Sequence, residues 1–491
     1  LTTFPFFASQ TGAIVTPFSG GPILLMLALW LLPALILRKK HLPIEAWPLF
    51  IFILVALLSS AATFFIEIPT FKGATPLKQE LRTFTTLAIG LAFYLVCAAW
   101  PQDKPRLRKS LQWIHIGGAL MLLWTFSQVW YILSGAESYP GWLLQIQEHL
   151  VVKPEFFFFR GNRTSGLAYE ASWFAHQLVV LYLPLWLSAT VLRKSVFHFR
   201  FLKLSVENIL LLVGLAEFVM SSPRVSLLSF GLILVVLILY FNVWLVRLLT
   251  RLITSRSKKA SSRLLRFGLP AGITLMLMAA YLLIMAGAVY FISQYDSRML
   301  QLLERPPSLD EIKRLVTLDE VTIVIIGARL AFLERVIYWL TGWRTFAQHP
   351  LLGVGLGNTG FFFLQNIPSV GWMSYEIRDV LTVLPSLPNI KSLWVRLLSE
   401  TGIVGFYVFL GWLYLMVKSA RLVRHSLDPT LQIIALAGLL ALIAFIGEGF
   451  SIDSFAMPYF WVITGLLSGA AMSYRKDRMD AVRSPDGEQT A

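Results

Sequence analysis

Four short stretches of the chain set arginines and single carboxylates beside glycines and aromatic rings, a mixture suited to holding an anionic group. They are residues 160–172 (RGNRTSGLAYEAS), 217–224 (EFVMSSPR), 335–360 (RVIYWLTGWRTFAQHPLLGVGLGNTG) and 388–402 (PNIKSLWVRLLSETG). Guanidinium groups make bidentate, charge-assisted contacts to phosphate. Arg163, Arg224, Arg335, Arg344 and Arg396, with Lys391 and the amide of Asn389, are therefore candidate ligand contacts. Glu170, Glu217, His349 and Glu400 are the groups in these stretches that can accept a proton from a hydroxyl.

Each stretch also has a plainer reading. Arg163 can snorkel to lipid head groups while Glu170 caps a helix. Glu217 and Arg224 can form a structural pair, although a continuous helix would hold them about 10 Å apart, so direct contact requires a break. GVGLG lacks the strand and Rossmann unit of a nucleotide fingerprint. Its glycines suit either a structural turn or a tight loop whose amides face an anion. Lys391 and Arg396, five apart, do not share one helix face cleanly, and part of that stretch reads as interfacial anchoring.

The elements that must position these residues are membrane helices. Of 491 residues, 56% are hydrophobic and 14% charged, and the mean hydropathy is +0.68. Soluble domains carry about 25% charged residues, so a water-soluble fold is excluded. Runs of about 20 apolar residues occur at 20–37, 43–66, 83–100, 112–133, 173–192, 204–222, 225–246, 268–293, 398–417, 430–448 and 456–474. Residues 2–19, interrupted by Pro5 and Pro17, read as a twelfth, broken or re-entrant span. If the spans alternate, 25 of the 42 Lys and Arg fall in loops on one side, which is then cytoplasmic. That asymmetry explains the formal charge of +15 without a nucleic-acid partner. One cysteine and seven scattered histidines give no support to a metal site.

The domain plan is thus helices over 1–293 with an outer loop at 134–172, a large outer loop at 294–397, further helices over 398–474, and a tail at 475–491 on the basic side. The 294–397 loop is too long for a connector. Within it, Ser308 with Glu311 reads as a capping box opening a helix over 308–316, and 329–346 reads as a second helix.

The order and placement of the four stretches resemble the O-antigen ligase and O-antigen polymerase superfamily of bacterial inner-membrane proteins. The most specific pieces are R-x-x-x-W followed by W-R-x-F-x-x-H-P-L-x-G-V-G-L-G (Arg335, Trp339, then 343–357) and N-x-x-S-L-W-x-R-L-L-x-E-x-G (389–402). The resemblance implies an all-α polytopic fold of 11–12 spans with a partly helical periplasmic loop, similar to GT-C glycosyltransferases. It implies a donor glycan on undecaprenyl diphosphate, a sugar acceptor, surrounding membrane lipid, and neither nucleotide nor metal. By position, Arg224 and Arg335 would bind the diphosphate and stabilise its departing charge.

Two departures bear on the member. Ligases typically carry a His before the Asn of the last run, where this chain has Pro388, and Glu170-Ala171-Ser172 resembles the E-P-S form common among polymerases. Both favour a polymerase of lipid-linked repeat units, with Glu170 the first candidate for base and His349 and Glu400 behind it. A chain-length regulator and a flippase would then be partners. The alternatives are a ligase acting on lipid A-core or protein, and a secondary transporter or lipid flippase, for which Glu217 inside an apolar run is the one supporting feature. Transporters usually carry internal repeats, and none is evident here.

Overall fold

A computed structural model of the chain describes residues 19–37, 39–134, 139–150, 163–168, 170–221, 224–255, 263–295, 308–317, 319–329 and 332–483. The expected span at 2–19 and Arg160 lie outside them, apart from Ser19. The described chain is all-α, save for a two-residue antiparallel pair of strands, β1 (Arg200–Phe201) and β2 (Leu204–Ser205).

The principal helices are α1 (Gly20–Ile36), α2 (Ile44–Phe65), α3 (Pro76–Ala99), α4 (Lys104–Ser134), α5 (Gly141–Leu150), α6 (Ala171–Leu192), α7 (Val206–Ser221) and α8 (Arg224–Ser255). They continue with α9 (Arg263–Tyr295), α10 (Leu309–Val316), α11 (Glu320–Arg329), α12 (Leu333–Gln348), α13 (Tyr375–Thr382), α14 (Leu393–Val423), α15 (Pro429–Glu448) and α16 (Pro458–Arg483). Among the described residues, seven helices are long and apolar enough to cross a bilayer: α2, α3, α4, α6, α8, α14 and α15. Large apolar side chains stay uncovered along α4, with Leu123 69% and Leu133 72% exposed. A surface of that kind suits lipid rather than water.

Local chemistry sets the helix limits. Asp428 caps α15 by accepting from the Thr430 and Leu431 amides, with Pro429 in the first turn. Ser392 caps α14 through the Val395 amide. In α1 and α6, π-helical segments at Leu27–Leu31 and Leu178–Tyr182 immediately precede Pro33 and Pro184. A proline gives up the bond to the carbonyl four residues back, and widening the preceding turn accommodates the loss.

The chain groups into two compact units. The first comprises Leu1–Phe230, Gly342–Asn366 and Pro385–Ala491, and the second Gly231–Thr341 and Ile367–Leu384. The 294–397 segment is therefore shared between the two units. In the first unit α3 packs on α16, α2 on α14, and α6 on both α7 and α15. Its core is aromatic: Phe445 stacks on Phe460 at 3.6 Å between centroids, and Trp412 meets Tyr94 and Phe409 edge-on or tilted.

Basic loops meet at one end of this unit. Lys40 donates to Gln102 Oε1 at 2.9 Å, Lys104 pairs with Asp477 at 2.8 Å, Arg108 Nε donates to the Val196 carbonyl, and Arg475 pairs with Glu45. In the second unit the expected capping box forms: Ser308 N–H donates to Glu311 and Glu311 N–H to Ser308 Oγ. That amide bond holds the Glu311 carboxyl below its usual range. The helix expected over 329–346 begins only at Leu333, because α11 ends at Arg329, which pairs with Glu311 at 2.8 Å.

Candidate functional site

At the end of the first unit opposite the basic loops, the glycine run of 353–357 folds against the start of α14. The Val354 and Gly355 amides donate to the Ser399 and Glu400 carbonyls, and Leu356 N–H donates to Ser60 Oγ. The Gly357 amide points to the Glu400 carboxylate. The sequence left open whether these amides bound a ligand or built a turn. Three of these amides are thus taken by carbonyl and hydroxyl groups of the same unit and one faces its own glutamate, so the loop clasps the start of α14. Glycine is needed where the backbones touch: Gly402 breaks α14 with φ 64° and ψ −168°, and a Cβ there would lie 2.1 Å from the Leu351 carbonyl oxygen.

Arg396 and Glu400 share one helix face and pair at 2.9 Å, both nearly closed to solvent. Arg396 Nη1 donates to the Asp453 carbonyl at 2.5 Å, and its guanidinium lies over Phe455. Each of the two side chains is thus the other's closest charged partner. Lys391 stands outside the helix with φ 51°, and Asn389 is exposed. Arg344 donates to the Asn366 carbonyl at 3.2 Å. His349 meets the Phe362 ring edge-on at 5.6 Å, and partial burial pushes its imidazole below the ordinary value.

A second group surrounds residues 163–168. Arg163 Nε donates to the Ser221 carbonyl at 2.8 Å, serving a carbonyl left open at the end of α7. Gln128 accepts from the Ser165 and Gly166 amides through one oxygen. Glu217, on α7, is 3% exposed, and among the described residues only the Thr125 hydroxyl lies close enough to act on its carboxylate, without meeting hydrogen-bond geometry. Thr125, beside it, gives its hydroxyl to the Met121 carbonyl. α7 ends at Ser221 and α8 begins at Arg224. Glu170 occupies the N-cap position of α6 but makes no side-chain cap bond; its carboxylate accepts from the Ser172 hydroxyl instead.

Sequence reasoning missed a buried couple. His176 Nδ1 lies 2.8 Å from Glu448 Oε2, with both side chains 1% exposed. The two share one hydrogen bond, whose donor depends on the imidazole tautomer. Glu448 Oε1 and Asp453 Oδ2 are buried with no hydrogen-bond partner among the described residues. The rule that singled out Glu217, an ionisable group inside an apolar run, applies equally to His176 and would have found it. Arg335 belongs to the second unit. It lies near Tyr338, whose hydroxyl donates to Glu376 at 3.3 Å and whose burial raises its pKa.

Among the described residues no cluster of His, Cys, Asp and Glu could hold a metal ion. No protein-family model matches the chain, and no curated protein matches it either.

Proposed function

We propose that the chain is a membrane glycosyltransferase that polymerises undecaprenyl-diphosphate-linked oligosaccharide repeat units, of O-antigen or exopolysaccharide type. On this reading it has 11–12 spans in a GT-C-like arrangement within the bacterial inner membrane, and its working face is periplasmic. The observation that carries the reading is the concentration of buried carboxylate oxygens without partners at one end of the first unit. Glu217, Glu448 and Asp453 supply them, where the motif-bearing segments 163–168 and 389–402 also lie. Buried carboxylates left unmatched inside a membrane protein mark functional sites by default.

An acceptor hydroxyl on the incoming unit gives its proton to Glu170 and attacks the anomeric carbon of the growing chain. The bond from that carbon to the diphosphate oxygen breaks, and lipid diphosphate leaves. Arg224 and Arg335 are assigned to the departing charge by motif resemblance. Each such contact is worth about a hundredfold or more in rate. Pro388, in place of a ligase histidine, supports polymerase over ligase.

Purified protein in lipid nanodiscs, given lipid-linked repeat units, should produce a ladder of longer glycans and release lipid diphosphate. No diphosphate release with any glycan acceptor removes the enzyme reading. Near-normal turnover in both Arg224→Ala and Arg335→Ala removes the diphosphate assignment.

A further inference from the structure

Independently of that reaction, we infer that the basic end of the first unit holds a binding pocket for a phosphate-bearing group, of the kind a glycerophospholipid head group or a free phosphate presents. The pocket is a cavity of about 710 Å3 lined by Lys104, Arg108 and Lys109 of α4, by Phe197 and His198 of the turn after α6, and by the first residues of α15. Ligand pockets span about 300–1,000 Å3, so the volume suits a head group.

Arg108 is set in place for this task. Its Nε donates to the Val196 carbonyl and its Nη2 to His198 Nε2, each at 2.9 Å. Those bonds fix the guanidinium plane while Nη1 makes no hydrogen bond among the described residues. Since an arginine only donates, His198 Nε2 accepts and is unprotonated there. Lys109, one residue on, has neither hydrogen bond nor ion pair among the described residues, and it is exposed. Among the described residues Lys104 pairs with Asp477, with both side chains more than two-fifths open to solvent, and feels Asp428 more weakly. Such a pair is weak, and an arriving phosphate can replace it.

The one carboxylate lining the cavity is Asp428, which accepts from the Thr430 and Leu431 amides and also attracts Lys104; against the three cations of the lining it leaves the pocket net positive. The pocket thus combines one oriented guanidinium with two ammonium groups, as a singly or doubly charged phosphate requires. Its walls are the ends of membrane-length helices, which places a bound phosphate at head-group height.

The test uses the full chain in a neutral detergent, titrated calorimetrically with short-chain phosphatidylglycerol, short-chain phosphatidylcholine, or inorganic phosphate. Phosphatidylglycerol should bind at least about tenfold tighter than phosphatidylcholine. Arg108→Ala and Lys109→Ala should each lose about tenfold, the scale of one charge-assisted bond. Binding of inorganic phosphate with the same sensitivity to Lys109→Ala identifies a soluble ligand. Binding of the lipid alone identifies a head group. Equal affinity for the two lipids with no phosphate binding, or unchanged affinity in both variants, overturns the inference. Because Arg108 also ties the 196–198 turn to α4, Lys109→Ala decides the matter if Arg108→Ala fails to fold.

Discussion

The two ends of the first unit treat buried carboxylates differently. At the basic end, Glu45 is fully buried and held by Arg475 at 2.5 and 3.2 Å and by the Ser419 hydroxyl. Glu207, equally buried, takes the Ser195 hydroxyl and the Val196 amide. At the opposite end, among the described residues, Glu217 has neither oxygen bonded, Glu448 has one, and Asp453 keeps a buried oxygen bare. A buried carboxylate without partners costs free energy, so the first end reads as fastening and the second as the less stable end, the one the proposed function draws on. Glu400 is the instructive exception, since it sits at the second end yet is paired like the carboxylates of the first.

That exception yields the largest expected effect. Arg396→Ala strands Glu400 in the interior, and breaking a buried pair costs about 3–5 kcal/mol. Thermal unfolding in nanodiscs should show a strongly lowered midpoint or a failure to accumulate folded protein. Glu45→Met comes next, at about 2–3 kcal/mol, reduced because Arg475 is a third open to solvent and regains water. Near-parental unfolding of Glu45→Met would remove the basic end's role as fastening.

Glu217→Met should move the other way. Replacing an unmatched buried carboxylate by an apolar side chain of similar size stabilises by about 1–3 kcal/mol, while glycan transfer is lost. The comparison breaks if Glu217→Met destabilises as Glu45→Met does, because both ends would then be structural.

How much of this was legible follows from distance along the chain. The apolar runs announce the helices because a span is a local property of about 20 residues. The capping box of Ser308 and Glu311 was legible for the same reason. Burial of Glu217 could be foreseen from its place in an apolar run, and its lack of partners could not. His176 and Glu448 stand 272 positions apart, and Arg475 and Glu45 430 apart; no spacing rule reaches that far. The glycine run allowed either a ligand loop or a turn, and its composition could not say that its amides would meet the Ser399 and Glu400 carbonyls and Ser60 of the same unit. Arg396 and Glu400 were weighed separately, as ligand contact and base, although their i,i+4 spacing is itself the signal for a pair.

The smallest effect concerns His349, at the start of the glycine clasp. Burial lowers its pKa from the ordinary 6.5, so the unfolded chain binds this proton more readily than the folded one. Stability linked to His349 is therefore complete above about pH 6.5 and is lost as pH falls toward the folded value. The unfolding midpoint should drop between about pH 7 and about pH 5, and His349→Gln should lessen that drop. An identical pH slope in the variant would show that burial of this imidazole has no energetic consequence. A lessened slope with transfer intact would assign His349 to the clasp rather than to the unmatched carboxylates, and so sharpen where structure ends and chemistry begins at this end of the unit.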